Sequence, residues 1–153
     1  MKKISFLLVL IISIQGCGFT PVYVSNNNNI NFKIENITFE GDQELNNYIN
    51  INLKKYISKD SNSTNFRIST TSSYSKLAQS KDAKGNIQSF KVKSFITFKV
   101  SGDNQTFDLI YSEQSDLNNS DDTFELKSYE SSIKQNFASS VVEKLLLDLS
   151  NRQ

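Results

Sequence analysis

The sequence has no histidine, a single cysteine and only two arginines among its 153 residues. Without histidine, a Ser-His-Asp triad cannot be built, and one cysteine cannot form a Cys/His zinc centre or an intrachain disulfide. The five glycines are scattered singly, so no glycine-rich phosphate loop is present. We therefore predict no catalytic residue, no metal site and no cofactor.

Charge is balanced, with 17 basic and 16 acidic side chains. If Lys2 and Lys3 are removed with a signal peptide, 17 − 2 leaves 15 basic side chains against 16 acidic ones. A protein that binds nucleic acid in bulk carries a basic surface, so we predict no nucleic-acid partner.

Two Ser-x-x-Lys runs, Ser73 to Lys76 and Ser131 to Lys134, come nearest to a catalytic motif. The abundance of serine and lysine makes such runs expected by chance, and the Lys-Thr-Gly and Ser-Asp-Asn companions are absent. Asp121 and Asp122 are a possible acid–base pair, but they stand where a helix needs its N-cap. We predict that the protein is not an enzyme.

The first 16 residues have the features of a signal peptide. Lys2 and Lys3 give a basic start, and residues 4–14 are an almost unbroken apolar run. As a helix this run is about 16 Å long, about half of a ~30 Å bilayer core, so it is too short to span a membrane. We predict a signal peptide over residues 1–16 and a mature chain of 153 − 16 = 137 residues.

The signal ends in an aliphatic-x-Gly-Cys pattern at residues 14–17, which resembles the lipobox of bacterial lipoproteins. That resemblance implies lipidation of Cys17, with a diacylglycerol thioether on the sulfur and an acyl chain on the new α-amine. The alternative is a free cysteine behind an ordinary signal, which would be a liability in an oxidising compartment. Because Gly18 is not the aspartate that retains enteric lipoproteins at the inner membrane, we expect the outer membrane. Residues 17–30 then form the acylated N-terminus and a flexible, Asn-rich tether.

Hydrophobic periodicity divides residues 31–153 into four strands and two helices. The predicted strands are 31–40, 66–77, 87–100 and 105–112, and the predicted helices are 42–58 and 122–149. The apolar parity slips at Glu35-Asn36, which predicts a β-bulge. Asp42 and Asp122 are predicted N-caps, the second with Glu125 in a capping box. We predict an α+β fold in the order β-α-β-β-β-α, whose four-stranded sheet is covered on one face by two helices.

Three features together resemble a known family: the opening Cys-Gly-Phe-Thr-Pro-Val-Tyr at Cys17–Tyr23, the order of elements and the long last helix. The chain resembles LptE, the lipopolysaccharide-assembly lipoprotein of the Gram-negative outer membrane. The likeness covers the whole chain in architecture, and residues 17–23 carry it at the level of sequence.

The resemblance implies that residues 31–153 form an LptE-like domain that plugs the lumen of the β-barrel translocon LptD. The protein would help that barrel assemble and take part in lipopolysaccharide insertion into the outer leaflet, anchored through Cys17 on the periplasmic side of the outer membrane. Its partners would be an LptD-like barrel, lipopolysaccharide and the membrane. The alternative is a non-catalytic outer-membrane lipoprotein that acts as a scaffold or periplasmic binding module in another assembly complex.

Basic residues of the sheet are the lipopolysaccharide contacts that the resemblance implies, although no family position can be aligned by motif. Strand parity places Arg67, Lys91, Lys93 and Lys99 on the face away from the helices. Their cations suit phosphate groups. The alternative is that these residues only solvate an exposed sheet face and protect it from aggregation.

Overall fold

The structure, a computed structural model, describes residues 32–57, 64–102 and 105–152. The predicted signal peptide at 1–16, the lipidation site Cys17 and the tether at 17–30 lie outside these residues. The elements are β1 (Phe32–Gly41), α1 (Gln43–Leu53), β2 (Thr64–Lys81), β3 (Ile87–Ser101), β4 (Thr106–Asn118) and α2 (Thr123–Ser150). This order confirms the predicted α+β fold.

The four strands form one mixed sheet in the order β1-β2-β3-β4. β1 and β2 are parallel, and α1 lies between them in the chain, whereas β3 is antiparallel to both β2 and β4. Apolar residues of the sheet and of both helices meet in one core. Its fully buried larger side chains include Phe66, Phe98, Ile34, Leu45, Ile49, Leu53, Ile96, Leu145 and Leu149.

The bulge predicted in β1 is confirmed. The register with β2 shifts between Ile34, which lies opposite Phe66, and Asn36, which lies opposite Arg67. The extra residue returns Ile37 to the inward face, opposite the buried Ile68. Apolar side chains on both sides of the bulge therefore pack against the core.

The first helix is shorter than predicted. Asp42 caps it as expected, accepting a 2.8 Å hydrogen bond from the Leu45 amide, but the α-helix ends at Leu53 and a 3₁₀ turn covers Lys54–Tyr56. Ile57 is then extended and bridges to Ile34 in parallel. The helical spacing of apolar residues continues to Ile57, but the α-helix ends earlier because Ile57 pairs with β1.

The fourth strand is longer than predicted, since it continues past Ser112 to Asn118. The added residues are mostly polar, which hid the strand from a hydrophobic pattern. Each of them pairs with a residue of β3, and near the end of the strand Leu117 is buried opposite Phe90. Continuous pairing thus extends a strand that alternation does not reveal.

α2 begins at the predicted cap, where Asp122 Oδ1 accepts from the amides of Phe124 and Glu125. The capping box is not completed by Glu125, whose carboxylate accepts instead from the hydroxyls of Ser120 and Tyr129. Ser120 Oγ takes its place and accepts from the Asp122 amide at 3.2 Å.

No helix among the described residues is long and apolar enough to cross a membrane.

A cluster of charged side chains joins α2 to the start of α1. Lys134 is only 7% exposed, and its Nζ lies 3.0 Å from Oδ2 of Asp42 and 3.1 Å from Oε2 of Glu44. The same Nζ lies 4.4 Å from the centre of the Tyr74 ring, and Ser131 donates a hydrogen bond to Glu44. Two carboxylates and a ring face thus compensate the buried ammonium, as a buried charge requires.

Replacement of Gly41 by alanine tests the close contact between β1 and β2. Gly41 has a φ of +99°, and a Cβ added there would lie 1.8 Å from the backbone oxygen of Ser72. We expect Gly41→Ala to lower the free energy of unfolding in urea by at least about 3 kcal/mol, from strain and steric overlap together. The matched control is Gly85→Ala, where φ is +88° but no atom lies within 4 Å, with an expected loss of about 1–2 kcal/mol. Equal losses would contradict the steric argument.

The pH dependence of stability tests the charged cluster. The hydrogen bond from Ser131 lowers the pKa of Glu44 from its ordinary value of 4.5, burial opposes this effect, and Lys134 lowers the pKa further. Because the pKa of Glu44 is lower in the folded state, the ionised carboxylate stabilises the fold above pH 4.5. This stabilisation is lost as the pH falls through the folded-state pKa. We expect the free energy of unfolding to fall less between about pH 5 and about pH 3 in Glu44→Gln than in the wild type.

The control for this measurement is Glu143→Gln, which changes an exposed carboxylate on α2. It should keep the wild-type dependence on pH. An acid-induced loss of stability that is the same in Glu44→Gln as in the wild type would contradict a stabilising role for the Glu44 carboxylate.

Candidate functional site

The face of the sheet opposite the helices is lined by small hydroxyl side chains. On β2 these residues alternate with inward ones, and they pair with outward residues of β3 and β4. The outward hydroxyl residues include Ser69, Thr71, Ser73, Ser75, Thr97 and Ser112. We call this surface the outward face; no helix among the described residues covers it.

The four predicted basic residues lie on the outward face, but two of them have a carboxylate partner and two do not. Arg67 forms an ion pair with Glu35 at 2.8 Å, and Lys91 forms one with Asp116 on β4. Lys93 and Lys99 are exposed and make no ion pair with the residues that the structure describes. These two cations are therefore available to an anionic ligand, whereas Arg67 and Lys91 already have carboxylate partners.

The available cations do not form one cluster. Lys93 and Lys99 are six residues apart on the same strand, which corresponds to roughly 20 Å. Lys93 lies between Ser75 and Gln114, and Lys99 lies between Ser69 and Asp108. One phosphate group cannot bridge them, so each would contact a different part of a large ligand.

Three large apolar side chains on the same face were not among the predicted site residues. Leu77, Phe95 and Ile110 are 63%, 51% and 59% exposed. Phe95 lies opposite Ser112, and Ile110 lies opposite Thr97, so the two are diagonal neighbours on adjacent strands. Strand parity already places Phe95 on the outward face. An apolar residue on an otherwise polar face was therefore the feature of the sequence that could have identified it as a site residue.

A depression of about 320 Å³ on this face brings several of these groups together. Its side chains come from three adjacent strands and combine a cation, an aromatic ring, hydroxyls and an amide. The lining residues that belong to the outward face are Lys93, Phe95, Ser73, Ser75, Ser112 and Gln114. Ser94 and Glu113 also line the depression, but Ser94 is buried and the Glu113 carboxylate contacts Lys144 on α2. Such a surface can contact an anionic group through Lys93 and apolar material through Phe95.

The two Ser-x-x-Lys runs occupy unrelated surroundings. Ser73 and Lys76 are an odd number of residues apart on β2, so they point to opposite faces of the sheet. Ser131 and Lys134 both contact Glu44, and the pKa of Lys134 is raised, because its carboxylate hydrogen bonds outweigh the lowering effect of burial. A lysine with a raised pKa is a poor general base.

No group of three or more acidic, histidine or cysteine side chains in the described part of the chain could hold a metal ion.

No protein-family model and no curated protein matches the chain. Among solved structures, rare lipoprotein B from Shewanella oneidensis matches with a TM-score of 0.55 and 16% sequence identity, over 76% of this chain and 95% of that one. An uncharacterized lipoprotein B from Nitrosomonas europaea matches with a TM-score of 0.52 and 10% identity, over 79% of this chain and 86% of that one. At these identities the likeness concerns the fold, and the chain has the fold of these two lipoproteins.

Proposed function

We propose that the chain is an outer-membrane lipoprotein that plugs an LptD-like β-barrel, helps that barrel assemble and takes part in lipopolysaccharide insertion. The observation that carries this proposal is the outward face, a broad hydroxyl-lined sheet surface that the helices leave uncovered. The lipobox pattern ending at Cys17 and the fold shared with two solved lipoproteins support the membrane anchor.

A barrel lumen suits the outward face physically. Barrel interiors are polar, and they accept serine and threonine hydroxyls as hydrogen-bonding partners. Exposed Phe95 and Ile110 would gain from contact with barrel side chains, because burial of apolar surface contributes about 25 cal/mol per Å². Anchoring by several acyl chains on Cys17 would keep the domain at the periplasmic side of the outer membrane.

Lipopolysaccharide suits the depression around Lys93. Its phosphate groups would meet an ammonium that has no carboxylate partner among the described residues, and its apolar parts would contact Phe95. The ion-paired Arg67 and Lys91 would contribute less, since a ligand must first compete with Glu35 and Asp116.

Co-purification tests the barrel partner. We expect the full chain, extracted in mild detergent from its native membrane, to bring down a barrel protein in about equal amount. Phe95→Thr with Ile110→Thr should lower that amount at least about fivefold, because both changes remove apolar contact from the outward face while keeping strand propensity.

The matched control is Ile51→Gln with Leu147→Gln, two similarly exposed apolar residues on the helices. This variant should retain the barrel. If the wild-type chain elutes alone, the plug proposal fails and the alternative of a scaffold or binding module elsewhere is favoured.

Binding of purified lipopolysaccharide to the full chain tests the cations. Lys93→Gln with Lys99→Gln should raise the dissociation constant at least about tenfold, since the net loss of even one hydrogen bond to a charged group costs about 1.5–3 kcal/mol and about 1.4 kcal/mol corresponds to a factor of ten. Arg67→Gln with Lys91→Gln removes the same charge and should change the constant less, because those cations are already paired. Equal effects of the two double variants would show a dependence on net charge alone.

A further inference from the structure

A groove of about 340 Å³ lies at the free edge of the sheet, away from the outward face. Among the residues that the structure describes, those that line the groove belong to β1 and α1, and none belongs to β2 or α2. Because β1 is an edge strand and α2 packs on the other flank of α1, this groove opens outward beside β1. Its lining residues are Phe39, Gly41, Gln43, Asn46, Asn47 and Asn50.

One wall of the groove is a stripe of carboxamides. Gln43, Asn46, Asn47 and Asn50 follow the spacing i, i+3, i+4 and i+7, so they share one flank of α1. Each carboxamide offers two N–H donors and one carbonyl acceptor. The side chains of Gln43, Asn47 and Asn50 are exposed and have no hydrogen-bond partner among the described residues. The wall can therefore donate and accept in several directions at once.

Asn46 forms the inner part of this wall and is only 7% exposed. Its Nδ2 donates a 3.0 Å hydrogen bond to the Glu40 carbonyl, which fixes the orientation of the amide. Its Oδ1 is buried and has no partner within the described residues. An unpaired buried acceptor is uncommon in proteins, and this one lies in a residue that lines the groove.

The groove also has an apolar wall and lacks charge. Phe39 packs partly against the core and contributes an aromatic surface, and none of the described residues that line the groove is charged. A charged ligand would lose water here without gaining a counter-charge, so charged ligands are disfavoured. The site instead matches a ligand that has many hydroxyls around its edge and an apolar face.

We infer that this groove binds an uncharged saccharide. Its hydroxyls would exchange hydrogen bonds with the carboxamides of α1, and the C–H face of a sugar ring would pack against Phe39. Two sources supply this chemistry, namely a plain hexose chain such as that of a glycolipid and an N-acetylated cell-wall glycan. The inference is independent of the proposed function, because the groove shares no residue with the outward face.

Titration calorimetry of the full chain with maltotriose and with tri-N-acetylchitotriose tests the inference. The protein is kept in a detergent without a sugar headgroup, because a maltoside would compete for the groove. We expect at least one trisaccharide to bind, and Asn47→Ala with Asn50→Ala to raise its dissociation constant at least tenfold. Both substitutions are at exposed helical positions where alanine favours the helix, so the fold should be retained.

Asn136→Ala, at an exposed carboxamide on α2, is the control and should bind as the wild type does. Preference for maltotriose would indicate a plain hexose chain, and preference for tri-N-acetylchitotriose an N-acetylated glycan; both support the inference. Binding of neither sugar would overturn it, as would unchanged affinity in the double variant. The two tests are separate: a loss of lipopolysaccharide binding in the Lys93/Lys99 variant should not change trisaccharide binding in the groove.

Discussion

The apolar layer between one face of the sheet and the two helices holds all the elements of the fold together. β3 contributes Val92, Ile96, Phe98 and Val100, all fully buried, beneath apolar side chains of α1 and α2. Two helices are enough to cover one face of a four-stranded sheet. The opposite face therefore remains open, and its residues are not selected for burial.

Polar contacts around this layer set the direction of α2. Besides the Lys134 cluster, Lys76 pairs with Glu130 at 2.7 Å and Lys144 contacts Glu113 at 2.5 Å. Each contact joins α2 to a different element beneath it, so together they restrict how the long helix can rotate or slide. Partly buried ion pairs add little net stability, and we interpret their contribution mainly as specificity of packing.

The asymmetry of the fold leaves two chemically different surfaces. The outward face offers hydroxyls, available lysines and exposed apolar side chains, which suits a large partner and an anionic ligand. The groove beside β1 is smaller and uncharged, and it is lined by carboxamides. Under the two proposals above, a protein partner would cover the outward face while a saccharide occupies the groove at the edge of the sheet.

Local sequence patterns are enough to predict the order of the elements, the two faces of β3, the bulge in β1 and the caps at Asp42 and Asp122. These features depend on neighbouring residues, through periodicities of 2 and 3.6 and through local hydrogen bonds. The same reasoning placed Arg67, Lys91, Lys93 and Lys99 on one face, because parity follows from spacing alone.

Which of those cations have a carboxylate partner among the described residues follows from contacts between distant parts of the chain. Asp116 reaches Lys91 because β4 extends further than its alternation suggests, and Glu35 reaches Arg67 because the bulge displaces it. Likewise, Ile57 leaves the helix because β1 offers a backbone partner, and the carboxamides of α1 form a groove because β1 ends beside them. Each of these outcomes depends on residues distant in the chain, whose pairing the local pattern does not contain.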